Sequence, residues 1–230
     1  MTLPDFSFEE RIAKKGFRII AGIDEVGRGS FAGPVVAAAV AFAPNSKFEI
    51  LNSKQIRIND SKKLSSRQRE MSSHWIKKNA LCYGIGKASV AEINKFGIKK
   101  ACEMAFRRAI KNTNKPVDYL LIDAFYIPYV KGLRRKNQMP IVKGDTKSIS
   151  IAAASIVAKV YRDRLMVSLG SKRKYKNYGW CQNKGYGTLA HRNAIKKYGL
   201  TRLHRKKFVE AWLKNSKLQI QNYKQTNLNA

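Results

Sequence analysis

Residues 16–42 read GFRIIAGIDEVGRGSFAGPVVAAAVAF, two apolar runs that enclose an acidic pair and a row of glycines. The first run, Phe17 to Ile23, is short, β-branched and bounded by Gly16 and Gly27, which predicts a buried strand rather than a helix. It ends in two carboxylates. A charge on such a strand is costly to desolvate unless it is paired or holds a cation, so Asp24 and Glu25 need a partner, and magnesium or manganese would supply one. Side chains alternate across a strand, so both can serve one site only if the strand ends or bulges there, and Gly27 and Gly29 make that bend plausible. The same glycines let the backbone approach a ligand closely, with Arg28 between them to meet a phosphate. A polar turn with one structural arginine is the ordinary explanation for Gly-Arg-Gly taken alone. Gly33-Pro34 restarts the chain as a second strand, Val35 to Phe42, whose alanines suit close packing against a helix.

The 230 residues suffice for one substantial core with at most a small appendage. The formal charge of +31, from 46 Lys and Arg against 15 Asp and Glu, is too large for an ordinary solvated surface, and a polyanion is the expected partner. Charge does not distinguish DNA, RNA and an anionic membrane surface. No apolar run approaches the roughly 20 residues needed to span a bilayer. The first twenty residues mix acid and base without a secretory pattern, so a cytoplasmic protein, monomeric by default, is expected. Cys82, Cys102 and Cys181 are odd in number and far apart, with neither a disulfide framework nor zinc spacing.

Along the chain, residues 1–16 read as a loose lead-in and residues 44–59 as a loop. Asp60-Ser61-Lys62-Lys63-Leu64 forms a turn at a helix entrance, where Ser61, Lys62 and Lys63 can grip a phosphate or stand as a solvated pair. Ser65 with Gln68 makes a capping box for a helix to about Asn79, and Ser89 with Glu92 makes another after a strand ending at Ala88. A helix pair follows, broken at Gly97. Val117 to Asp123 is a further apolar strand ending in a carboxylate, and Asp123 matters because open sheets carrying helices bind ligands beyond strand ends. After a short fifth strand, Met139 to Lys143, comes Asp145, for which the bland role is N-cap of a helix from about Thr146 to Leu169. On that helix Ile149, Ala152, Ala153, Ile156 and Val160 share one face, with Lys159 and Arg162 outside it. Residues 170–187 read as a basic, aromatic loop, suited to stacking on bases or else anchored by Trp180. Two helices, Leu189 to Tyr198 and Lys206 to Lys214, carry His191 and His204 near their starts, where capping or packing is the usual role. Residues 215–230 form a polar tail expected to be disordered.

Four carboxylates thus follow strands in a very basic chain: Asp24, Glu25, Asp123 and Asp145. Gathered together they would repel one another unless divalent cations lay between them, which is the layout of a nuclease. The segments GIDEVGRGSFAGPVVAAAV, DSKKL, LLIDAF, VKGDTKSISIAAASIVAKVYRDRLM and NKGYGTLAHRNAIKKYGLTRLHRKKF closely resemble bacterial ribonuclease HII, in order from about Phe17 to Phe208. The resemblance implies an α/β, ribonuclease-H-like fold, a mixed five-stranded sheet flanked by helices, with a core over residues 17–170 and a helical substrate-binding part over 171–214. It implies that Asp24, Glu25, Asp123 and Asp145 are the catalytic acids and ligands of two Mg²⁺ or Mn²⁺ ions about 4 Å apart. It further implies that Gly27, Arg28 and Gly29 read the 2′-hydroxyl at an RNA-DNA junction and that Tyr186 senses the adjoining deoxyribose. The substrates so implied are RNA-DNA hybrids and duplex DNA containing ribonucleotides. Leu200 and Lys207 depart from the proline and serine common in the family.

Overall fold

The computed structural model describes residues 3–43, 46 and 56–215. Five strands, β1 (Ile20–Val26), β2 (Val35–Ala41), β3 (Cys82–Ala88), β4 (Tyr119–Asp123) and β5 (Gln138–Ile141), form one mixed sheet in the order β3-β2-β1-β4-β5. β1 runs antiparallel to β2 and parallel to β4, which in turn runs parallel to β5. The mixed five-stranded sheet flanked by helices is the expected architecture. The 44–59 stretch and the tail beyond residue 215 fall largely outside the described residues.

Helices follow the capping signals closely. α1 is Ser7–Ala13, and α2 (Ser66–Asn79) and α3 (Val90–Phe96) both start at full capping boxes, Ser65 with Gln68 and Ser89 with Glu92. Gly97, at φ 81°, separates α3 from α4 (Ile98–Lys111). α5 (Ile149–Gly170) is the long central helix, followed by a short α6 (Trp180–Asn183), α7 (Leu189–Tyr198) and a helical stretch over residues 206–215.

The sheet is covered on both faces. Ala21, Ile23, Ala37 and Ala39 share a core with Ala101, Cys102, Ala105 and Phe106 of α4. Val26, Val36, Ala38 and Val40 share another with Ala152, Ala153, Ile156 and Val157 of α5. Small residues set the spacing between layers. A Cβ at Gly22 would meet the Ser150 carbonyl carbon at 2.1 Å, and one at Gly86 would meet the Ala105 oxygen at 2.1 Å. α5 therefore lies on the backbone of β1 itself, the closeness that the run of alanines in β2 anticipates.

Two expectations need correction, and one buried residue was not foreseen. The lead-in contains α1, whose Ile12 is fully buried and whose Glu9 accepts hydrogen bonds from Ser148 Oγ (2.6 Å) and Ser150 N (3.0 Å) at the start of α5. Apolar residues at 6, 8 and 12 give too little periodicity to reveal so short a helix. For residues 170–187 the alternative anchored by Trp180 holds over a loop stacking on bases: 173–178 form a 3-10 turn, and Tyr175 and Tyr178 stack on the fully buried Trp180 at ring distances of 5.0 and 5.5 Å. Those rings make a second, C-terminal core with Ala32, Met166 and Val209, so they are not free to stack on bases. Arg162 lies outside the sheet-facing stripe yet is fully buried, because this C-terminal core covers it.

The contact at Gly22 yields a direct test. Gly22→Ala forces α5 off β1 and costs roughly 3 kcal/mol or more, read as a lower urea midpoint. Gly29→Ala, where an added Cβ meets nothing within 4 Å, leaves the midpoint within about 1 kcal/mol of the parent.

Candidate active site

β1 does not end or bulge at its acidic pair. Asp24 and Glu25 lie within the strand, opposite Ala38 and Ala37 of β2 in unbroken register, and the turn comes only at Gly27, at φ 90°. Alternation therefore sends the two side chains to opposite faces. Asp24 shares the α5 face with Gly22, while Glu25 shares the α4 face with Ile23. They nonetheless border one crevice. Pairing of β1 with β4 stops at Ile23 and Ile122, whereas β1 continues beside β2 to Val26, so the sheet splits between the parallel strands and Asp123 stands at the split.

Asp145 closes the group, and not as a helix cap. Gly144–Thr146 is a 3-10 turn, and α5 is capped by Ser148, whose Oγ accepts from Ile151 N at 3.2 Å. The Gly144 N–H donates to Asp123 Oδ1 at 2.8 Å, tying the Asp145 turn to the end of β4. Asp24 Oδ1 accepts from Glu25 N at 2.7 Å, and Arg28 Nη1 lies 3.3 Å from Glu25 Oε1.

The electrostatics follow from this crowding. Burial, then the charges of Glu25 and Asp123, push the Asp24 carboxyl well above the usual carboxylate range. Burial also lifts Glu25 to about 7, against the pull of Arg28 and with a further push from Asp123. Asp145 is raised by burial and by Asp60 and Asp123, and Lys62 opposes the rise. Asp123 acts on all three. Hard oxygen donors of this kind suit Mg²⁺ or Mn²⁺. Among the described residues, no three carboxylate, imidazole or thiol groups converge so as to hold an ion by themselves. An ion here would be held by one or two carboxylates and completed by water or phosphate oxygens, the usual habit of Mg²⁺.

The remaining candidates surround the crevice. Ser61 is buried with its Oγ 2.9 Å from Ser155 Oγ, and Ser155 also bonds Asp24. Lys62 and Lys63 are exposed on the 3-10 turn that Asp60 caps, through Lys62 N to Asp60 Oδ1 at 2.9 Å. Gly27, Arg28 and Gly29 form the turn after β1, with the Arg28 guanidinium 5.4 Å from the Phe125 ring. Tyr186 is half-buried, its ring 5.3 Å from the Arg162 guanidinium and 5.4 Å from Lys159 Nζ. A groove of about 1090 Å³, lined by Arg18, Lys111, Lys115, Asp118 and Lys131 among others, sits at the other end of β1 and β4 and includes none of the four carboxylates.

Two residues that sequence patterns did not single out organise this region. Arg162 donates to the carbonyls of Pro34 (3.0 Å), Ala32 (3.1 Å) and Lys184 (3.0 Å), so one guanidinium joins the turn after β1 to the segment bearing Tyr186. Arg205 donates to Gly33 O at 3.0 Å and Arg28 O at 2.9 Å. Both are fully buried, and burial lowers the proton affinity of each, against the pull of Asp163 on Arg162 and to about 9 for Arg205. A Cβ at Gly27 would meet Arg162 Nε at 2.0 Å, which explains the first glycine of Gly-Arg-Gly. In a chain with 46 basic residues nothing marks these two as interior, so only the distant folding of residues 171–209 reveals them.

Comparison with known proteins gives the family and the fold. The protein-family model for ribonuclease HII matches residues 21–211. A ribonuclease HII of Clostridioides difficile (strain 630) is 49% identical over 203 residues, covering 88% of this chain and 74% of that protein. Among solved structures, ribonuclease H2 from Pyrococcus horikoshii OT3 superposes with a TM-score of 0.65 at 23% identity, over 85% of this chain and 99% of that one. Bst-RNase HIII in complex with Mn²⁺ gives a TM-score of 0.63 at 19% identity, over 86% of this chain and 71% of that one. These two likenesses are of fold.

The mutual repulsion is measurable. A carboxyl whose folded pKa lies above its unfolded value binds more protons when folded, so its stabilisation is complete below the unfolded value and is lost as pH rises through the folded one. Asp123→Asn keeps an acceptor for Gly144 N–H but removes the charge acting on Asp24, Glu25 and Asp145. In chelator at pH 8 it raises stability by about 1 kcal/mol. At pH 5, where Glu25 holds its proton, the gain shrinks. Urea midpoints at the two pH values check this; equal midpoints for parent and variant at pH 8 contradict it.

Proposed function

The chain belongs to the ribonuclease HII family, endoribonucleases of RNA-DNA hybrids, and within that activity we propose that it also cuts 5′ of single ribonucleotides embedded in duplex DNA, with two divalent ions as cofactors. What supports this reading is the electrostatic crowding around Asp123 near the split between β1 and β4: its charge acts on Asp24, Glu25 and Asp145, all three of raised proton affinity, inside a +31 chain. Asp24, Asp123 and Asp145 would hold the ions with Glu25. The bound Mg²⁺ or Mn²⁺ supplies Lewis acidity and charge neutralisation at the scissile phosphate, as expected of two-ion phosphodiester hydrolysis. A water oxygen bonds to phosphorus and the P–O3′ bond breaks, leaving a 5′-phosphate and a 3′-hydroxyl.

The protein's own groups account for selection. The turn Gly27-Arg28-Gly29 carries backbone groups able to bond a 2′-hydroxyl, the one group that tells RNA from DNA at a given position. Arg162 and Arg205 use their donors on backbone carbonyls of this turn and its neighbours, which fixes its shape before substrate arrives. Tyr186, joined to the same turn through Arg162, would pack on the adjoining deoxyribose. Ser61, Lys62 and Lys63 would hold flanking phosphate, and the helical residues 171–214 the rest of the duplex, so affinity falls steeply with salt. The described residues include no helix long and apolar enough to cross a membrane.

A non-catalytic RNA-binding protein would also need the basic surface, but it has no use for carboxylates crowded at a strand split. The test is a labelled duplex with one ribonucleotide, incubated with Mg²⁺, Mn²⁺ or chelator. We expect one cut, 5′ of the ribonucleotide, with either metal and none in chelator. Asp145→Asn lowers the rate by about a hundredfold or more while substrate still binds. Binding without scission in every condition contradicts the proposal.

A further inference from the structure

The C-terminal core buries two imidazoles against each other. His191 and His204 are 0% and 1% exposed, with their Nε2 atoms 3.1 Å apart. Donor chemistry fixes every proton. The Thr201 N–H donates to His204 Nδ1 at 2.8 Å, so neutral His204 carries its proton on Nε2 and points it at His191. The Trp180 indole, which can only donate, reaches the same His191 Nε2 at 3.1 Å. His191 Nε2 is therefore an acceptor, and its proton sits on Nδ1, 2.9 Å from the Tyr186 carbonyl oxygen.

Tyr186 is thus held from behind at its carbonyl. Its N–H donates to Asn183 O at 2.9 Å, and the two preceding residues turn through left-handed conformations, Lys184 at φ 52° and Gly185 at φ 83°. Gly185 O accepts from Phe31 N and Ala32 N at 2.8 and 3.1 Å, which sets the segment against the turn after β1. The Tyr186 carbonyl also accepts from Thr188 N at 2.9 Å, so His191 Nδ1 is one of two donors that set the peptide to Gly187 behind the Tyr186 ring.

We propose that His191 is a positioning residue for Tyr186, locked by Trp180 and His204 into the one tautomer that can anchor the Tyr186 carbonyl. This rests on the reading of Tyr186 as a substrate contact. A proton added at His191 Nε2 would face two N–H donors, so the lock holds only while both rings are neutral. The groups facing the pair support neutrality. Tyr178 and Trp180 meet the rings edge-on, and the Tyr178 hydroxyl is occupied with the Gly199 carbonyl at 3.0 Å. Phe31 lies 6.3 Å from the His191 ring, and Arg205 directs its guanidinium to the Gly33 and Arg28 carbonyls. Burial lowers both imidazoles, His204 to about 4, and no carboxylate acts on either.

Two substitutions divide the lock into its halves. His191→Asn puts an amide N–H where Nδ1 was and loses the Nε2 acceptor, whereas His191→Gln can keep an acceptor near Nε2 and loses the Nδ1 donor. Steady-state cleavage of the single-ribonucleotide duplex should show a loss in kcat/KM of about tenfold or more for His191→Gln and a smaller one for His191→Asn. In a Tyr186→Ala background the His191→Gln loss should vanish, since it acts through that ring. Thermal melts place the variants on a common stability scale. Losses that follow the melting order, or a His191→Gln factor unchanged in the Tyr186→Ala background, overturn the proposal. A Tyr186→Ala protein that cleaves like the parent instead overturns the reading of Tyr186 as a substrate contact, and with it any role for the lock in catalysis.

Discussion

Like charges at a strand split are the constraint on which the rest of this fold depends. Asp24, Glu25, Asp123 and Asp145 come from β1, the end of β4 and the turn before α5, and each raised carboxyl owes most of its shift to desolvation and the rest to its neighbours. Burying such groups opposes folding. The fold sustains them because the layers beneath are tight: α5 rests on the Gly22 backbone, α4 on Gly84 and Gly86, and the alanines of β2 fill the space between. Stability lost at the crevice is offset in the two cores on either side of the sheet, the usual division between a working site and its scaffold.

A second tier of buried charge braces the segment after β1 and the Lys184 to Tyr186 segment. Arg162 and Arg205 are buried and direct donors from three and two of their guanidinium nitrogens, respectively, to main-chain carbonyls. Such guanidinium groups are worth their desolvation only where planar, multiply bonded geometry is needed. Here that geometry joins three stretches distant in sequence, the turn after β1, the Lys184 to Tyr186 segment and the start of the final helical stretch. In the proposed reading, recognition of the ribose and of the neighbouring sugar would be coupled through these rigid parts.

Much of this was legible in the chain itself. Capping boxes at Ser65 and Ser89, the break at Gly97 and the apolar runs ending near acids locate most elements, because those signals are local. Strand ends were displaced: β1 extends to Val26, since pairing with β2 carries it past the acids. Asp145 looked like a cap because Asp favours that position, but Ser148 takes the role and leaves the carboxylate for the crevice. Illegible were the features made by long-range burial. Tyr175 and Tyr178 turned inward with the anchoring Trp180 into the C-terminal core, Arg162 became interior, and α1 docked through Glu9 on the start of α5. Each depends on a partner more than ten residues away, which periodicity cannot report.

The central claim is that burial, reinforced by neighbouring charge, holds Asp24, Glu25 and Asp145 at raised proton affinity, and that, as proposed, a divalent ion would displace their protons. Calorimetric titration of Mn²⁺ into the protein at pH 7, in two buffers of different ionisation enthalpy, counts the protons exchanged. With Glu25 raised to about 7, binding is predicted to release protons at that pH and to release fewer as the pH is raised to 9. Mn²⁺ binding with no proton release at pH 7, or with affinity unchanged in Asp24→Asn, would contradict the account.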